Sequence, residues 1–189
     1  VVENDRLRLE QAGFDADDPD TRPIAAPPFS AVAAQPPPLP PRFAFVKTPS
    51  WDLAEPTTHA AFAELAGVLG ENAVEVELPS VAQHIVAMHR TIMDVEMARN
   101  LNREYEKERA QLSGKLRALI ERGRKHLAVD YRRAVEMIEP INQTLDDIFN
   151  EYDAILTPAA PGEAPVGLES TGSPVFCTIW TYLGMPAVT

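Results

Sequence analysis

Residues 152–189 read YDAILTPAAPGEAPVGLESTGSPVFCTIWTYLGMPAVT, the most clearly punctuated stretch of the chain. Ala154-Ile155-Leu156 is a short apolar run of strand length, and it stops at Thr157-Pro158, where proline removes a backbone donor. A Pro/Gly-rich loop follows as far as Gly172. The next apolar stretch carries Phe176 and Trp180, four residues apart, so a helix places both on one side. Gly184-Met185-Pro186 then turns into a second strand start at Ala187-Val188-Thr189.

Working backward, residues 80–152 read as a helical layer. Ser80 and Gln83 have capping-box spacing, and Ile85, Met88, Ile92, Val95 and Ala98 recur at three- and four-residue steps. Leu112, Leu116, Leu119 and Ile120 form a second stripe, closed by Gly123. A third runs through Val135, Ile138, Ile141, Leu145, Ile148 and Tyr152, with Pro140 placed to kink it. Residues 42–79 predict strand, helix and strand. The run Phe43–Val46 is the first strand, Pro56 opens a helix that Gly70 closes, and Val74 and Val76 alternate with glutamates as a half-buried strand. That order implies a crossover onto a mixed sheet flanked by helices, an α/β fold. Residues 27–41 hold seven prolines. They read as an extended linker after an acidic opening segment, 1–26. Residues 153–189 then complete one partial domain spanning 1–189.

The order of strand, Pro-rich loop, Thr171-Gly172, aromatic helix and Gly184-x-Pro186-Ala187 resembles the amidase signature family of serine amidohydrolases. At the front, residues 12–23, ending Asp18-Pro19-Asp20-Thr21-Arg22-Pro23, resemble the acidic segment that follows the catalytic half in that family. The motifs cover 12–23 and 152–189, and the middle corresponds by element order alone. The resemblance implies hydrolysis of a linear carboxamide to a carboxylic acid and an amine or ammonia. A serine would attack with a Lys/second-Ser relay and backbone N–H oxyanion donors, without metal or cofactor. It also implies that the helix around 176–180 borders the cleft, which makes Phe176, Trp180, Cys177 and Ser173 the candidate substrate-binding residues. In the amidotransferase branch an acid near this point contacts a glutamine amide. Ser173-Pro174 stands there in this chain, which favours a plain amidase with a small, less polar amide substrate.

The catalytic residues themselves are expected elsewhere. The serines are Ser30, Ser50, Ser80, Ser113, Ser170 and Ser173, no two adjacent, and no Gly/Ser-rich nucleophile loop is present. Both ends read as cuts, so the expectation is an internal part of a longer enzyme, inactive alone. Other groups have plainer readings. His84 and His89 are five apart, unsuited to sharing a metal from one helix face. Cys177 lies in apolar Val175–Trp180 with no histidine nearby in sequence, which argues for packing or a pocket wall rather than a nucleophile. Glu96, Glu104, Glu106 and Glu108 with Arg99, Arg103 and Arg109 read as surface pairs along a helix.

Composition narrows the classes further. The 189 residues carry 28 acidic against 17 basic side chains, a formal charge of −11. The basic cluster Arg117–Lys125, with Arg132-Arg133, is interrupted by Glu121 and apolar residues, so nucleic acid is not an expected partner. The apolar runs are too short for a bilayer span, so no membrane partner is expected. The single Cys177 fits a reducing compartment, and a cytoplasmic location is the expectation. Homo-oligomerisation is left open. A reading from another class, an acidic helical interaction module with a Pro-rich arm, explains residues 80–152 but gives 171–187 no purpose.

Overall fold

The structure is a computed structural model that describes residues 14–17, 21–25 and 28–188. The chain forms two compact units, 1–40 and 41–189. In the first, the backbone N–H of Asp15 donates to Thr21 Oγ1 at 3.0 Å, and that hydroxyl donates to Asp15 O at 2.8 Å. Gly13, Asp18, Pro19 and Asp20 of the expected acidic motif lie outside the described residues, as does Thr189. The expected extended linker is interrupted by a short helix, α1 (Phe29–Ala33). Its prolines sit at 27–28 and 36–41, and the proline-free residues between them are free to coil.

The second unit is built on a three-stranded parallel sheet in the order β2-β1-β3. Strand β1 (Phe43–Val46) is central, pairing Phe43 with Ala73 of β2 (Ala73–Val76) and with Ala154 of β3 (Ala154–Leu156). A central strand is covered on both faces, and Ala44, Phe45 and Val46 are buried accordingly. Helix α2 (Pro56–Leu69) makes the parallel crossover from β1 to β2. Pro56 opens it, where a missing N–H costs nothing. Gly70, at φ 54°, ends it in a conformation that L side chains rarely adopt. The alternation in β2 holds only in part: Val76 is half-buried, but Val74 is exposed.

The helical layer follows as α3 (Ile85–Asn100), α4 (Asn102–Glu108), α5 (Gly114–Gly123), α6 (Ala128–Glu136) and α7 (Ile138–Glu151). The anticipated capping box at Ser80 does not form. Pro79 holds the N-cap of a 3₁₀ turn at Ser80–His84, and no side chain caps it. A working side-chain cap occurs instead at Ser113, whose Oγ accepts from Leu116 N at 3.2 Å. The third stripe is broken between α6 and α7 at Met137, because Pro140 supplies no N–H for the carbonyl four residues before it.

Gly123 is the last residue of α5, as its position in the sequence suggests, but it is there for packing as well: a Cβ would sit 1.9 Å from Asp94 O and 2.8 Å from Ala98 Cβ. Glycine lets α5 touch the backbone of α3. Beside this contact Asp94, fully buried, accepts from Arg122 Nε at 2.5 Å and Nη2 at 2.6 Å, with His126 Nε2 at 3.3 Å. Burial alone would push the Asp94 carboxyl up. The Arg122 and His126 hydrogen bonds and charges outweigh it and hold the group below its ordinary value.

Of Glu96, Glu104, Glu106 and Glu108, Glu96 alone has an ion pair along its own helix among the described residues, with Arg99. Glu121 on α5 meets Tyr105 Oη at 2.7 Å and Arg109 at 2.5 Å, and Glu106 on α4 meets Arg124 at 2.5 Å. Packing brings these helices side by side, so partners arrive from 12 to 18 residues away.

Candidate functional site

The last described helix, α8 (Val175–Leu183), rests on the main core. Phe176, Ile179, Tyr182 and Leu183 are buried, three and four residues apart, so one side of the helix is inward. Ile179, Tyr182 and Leu183 pack in one cluster with Ala44 and Val46 of β1 and Ile141, Leu145 and Ile148 of α7. Two bonds fix the helix in place: Tyr182 Oη donates to Ala134 O at 2.5 Å, and Asn142 Nδ2 donates to Leu183 O at 3.0 Å.

The Gly184-Met185-Pro186 motif has a physical explanation here. Gly184, at φ 67°, is left-handed; its N–H donates to Thr181 O at 3.2 Å and Met185 N–H to Trp180 O at 3.0 Å. That pair of bonds is a Schellman motif, and Pro186 forbids further helix. The expected strand start does not appear: Ala187 and Val188 are exposed and unpaired in any sheet among the described residues. Apolar character alone does not make a strand without a hydrogen-bonded neighbour.

The loop before α8 is anchored at its start. Pro158 is fully buried, and Pro161 O accepts from Glu55 N at 2.7 Å and Thr58 Oγ1 at 2.9 Å. Gly162 lies against the Glu55 carboxylate, where a Cβ would come within 2.2 Å of Glu55 Cδ. From Glu163 to Pro174 every residue is exposed.

The four residues singled out in the sequence fall into different environments. Ser173, Cys177 and Thr181, at steps of four, form the exposed stripe of α8 and its entrance. Cys177 is therefore not a packing residue, and its Sγ donates to Ala159 O at 3.1 Å, a backbone carbonyl rather than a base. Ser173 Oγ accepts from Val175 N at 3.4 Å. Phe176 is fully enclosed and offers no exposed surface. Trp180 is half-buried, and its Nε1, like Thr157 Oγ1, is buried without a hydrogen-bond partner among the described residues. Thr181 was missed in the sequence; the signal for it was its step of four from Cys177.

Two open grooves lie elsewhere. One, of about 640 Å³, runs past the carboxyl ends of β1 and β2, lined by Lys47, Glu75, Glu77, Leu78, Ser80 and Gln83. The other, of about 250 Å³, lies between α3 and α6. Among the described residues no three His, Cys, Asp or Glu side chains are grouped to hold a metal, and no helix is long and apolar enough to cross a membrane.

The amidase family model matches residues 6–188. No curated protein matches. Among solved structures, one from work on a vestigial protein complex and the evolutionary origins of an s-triazine catabolic enzyme superposes with a TM-score of 0.70. It is 23% identical, over 83% of this chain and 34% of its own. A structure described as an amidase gives 0.63 at 20% identity, over 77% of this chain and 37% of its own. A 6-aminohexanoate cyclic dimer hydrolase complexed with substrate gives 0.67 at 14%, over 91% and 42%. The chain thus spans about a third to two fifths of the structures it resembles. The likeness bears on fold: an α/β arrangement with a small parallel sheet flanked by helices.

Proposed function

This chain belongs to the amidase family, and from that premise we propose that it forms the substrate-facing part of an enzyme that hydrolyses a carboxamide to a carboxylic acid and an amine or ammonia. The family match over residues 6–188 is the observation that carries the reading. The nucleophile is supplied from outside this chain. Its oxygen adds to the amide carbonyl carbon, the C–N bond breaks as the departing nitrogen takes a proton, and water releases the acid.

In this reading the exposed stripe of α8 faces the amide. Ser173 and Thr181 present hydroxyls, Cys177 presents a thiol already turned toward Ala159 O, and Trp180 forms an apolar wall. Phe176 holds that wall from beneath, packed out of solvent. No acid stands at Ser173-Pro174 to contact a glutamine amide, so the substrate is a small linear amide of modest polarity.

The test is hydrolysis of aliphatic and aromatic amides by the purified 189-residue chain, with Cys177→Ala beside it. The expected result is no turnover by either. Turnover that survives purification and disappears in Cys177→Ala would make Cys177 a nucleophile and overturn the assignment.

A further inference from the structure

The groove between α3 and α6 is separate from the exposed stripe of α8, and the amidase reading gives it no role. Its lining includes Met88 and Thr91 from α3, His126 from the turn before α6, and Asp130, Arg133 and Ala134 at α6. Three features distinguish it from ordinary charged surface.

The first is an unneutralised pair of opposite charges. Asp130 and Arg133 stand three residues apart on α6, and both line the groove. They form no ion pair with each other or with any other described residue, whereas neighbouring Arg132 is tied to Glu136 at 2.7 Å. A small anion would gain from Arg133 and be repelled by Asp130, and a small cation the reverse. Only a ligand carrying both signs satisfies both groups.

The second is a fixed imidazole. Asp94, buried and paired to Arg122, is an acceptor only, so the His126 Nε2 that faces it carries a hydrogen. In the neutral ring Nδ1 is then the acceptor, which adds to Asp130 a second group suited to an ammonium. The third is the size and polarity of the floor. Met88 and Ala134 are apolar, and about 250 Å³ accommodates a few heavy atoms beyond the charged head. Tyr182 Oη touches both, Met88 Sδ at 3.6 Å and Ala134 O at 2.5 Å, so the floor is rigidly backed by α8.

We propose that this groove binds a small zwitterion, an α-amino acid with a compact aliphatic side chain. Arg133 takes its carboxylate, Asp130 and His126 take its ammonium, and Met88 and Ala134 take its side chain. Residues three apart on a helix lie about 5–6 Å from one another, and groups on adjacent carbons can bridge them.

The experiment titrates the full chain with L-valine, following heat and the Met88 methyl resonance. Isovalerate lacks the ammonium, and isobutylamine lacks the carboxylate. The expected result is saturable valine binding with a shift at Met88, and each analogue at least about tenfold weaker, the loss of one charge-assisted contact. Arg133→Gln and Asp130→Asn, both at exposed positions, each weaken valine by a similar factor with unchanged melting temperature. Arg132→Gln leaves binding as it was. Absence of binding, isovalerate or isobutylamine binding as tightly as valine, or an equal loss in the Arg132 and Arg133 variants would each overturn the proposal. None of these outcomes depends on amide hydrolysis, so the amidase reading stands or falls separately.

Discussion

Around β1, α7 and α8, the core is aliphatic: Val46, Ile141, Leu145, Ile148, Ile179 and Leu183 meet with few polar groups. Where α3, α4 and α5 meet, the buried apolar cluster among the described residues is Ala98, Tyr105 and Ile120, edged by half-buried leucines, and the contact is completed by polar chemistry. Asp94 with Arg122 and His126, and Tyr105 with Glu121, join helices there. The two regions fail differently under mutation. An aliphatic core loses stability in proportion to the volume removed and is indifferent to pH. A buried carboxylate held by a guanidinium loses it when either partner is removed or when the acid is protonated.

The largest effect is expected in the aliphatic region. Leu145→Ala removes a side chain that is 2% exposed, and should cost about 3–5 kcal/mol by denaturant unfolding, at any pH where the chain folds. A cost near zero would mean that this core is not closed as described.

Asp94→Asn comes next, at about 2–4 kcal/mol at neutral pH, because Arg122 loses its anion and one hydrogen bond is reversed in polarity. Here the pH dependence separates the regions. The Asp94 pKa is lowered in the folded chain. Its contribution is therefore fully present above the ordinary aspartate range and is lost as pH falls through the lower, folded value. The gap between wild type and Asp94→Asn should close in acid, while the gap to Leu145→Ala stays constant. A gap for Asp94→Asn that is level with pH would remove the distinction.

Gly123→Ala should cost about 1–3 kcal/mol through the collision of the new methyl with Asp94 O, unless α5 moves away. Measured in the Asp94→Asn background, part of this cost should vanish, since a displaced α5 then breaks a weaker contact. Strict additivity would show that the glycine and the ion pair act independently.

The same contrast explains what could be read from the sequence. The apolar runs at Phe43–Val46, Phe62–Leu69 and Leu112–Ile120 each point to one element, and the run from Val135 to Tyr152 is divided between α6 and α7, because apolar spacing is local. Asp94 was passed over because its partners lie 28 and 32 residues away, and nothing local marks a carboxylate as buried. Gly123 is legible as the end of a helix, but its second role, the close crossing with α3, is not, because the Asp94 backbone it meets is remote in sequence. Ser80 has the spacing of a cap, but Pro79 draws the turn into 3₁₀ form. In the candidate site, Gly184-Met185-Pro186 was legible because a left-handed glycine followed by proline has one local meaning. The division of α8 into a buried Phe176 and an exposed Cys177 was not, since the two threonines of this mainly apolar helix fall on different sides, Thr178 buried and Thr181 exposed.

In the proposed function the amide lies against the outward side of α8, with Trp180 as its apolar wall, and the most direct measurement uses an amide-hydrolysing protein that contains this sequence. Values of kcat/KM for an aromatic amide and for acetamide would be compared between wild type and Trp180→Ala, with thermal unfolding in parallel. Loss of one apolar wall should weaken the aromatic substrate by about 1–3 kcal/mol of transition-state stabilisation, with acetamide and the melting temperature changed far less. An equal fall for both amides, accompanied by a fall in melting temperature, would make Trp180 a packing residue and contradict the assignment.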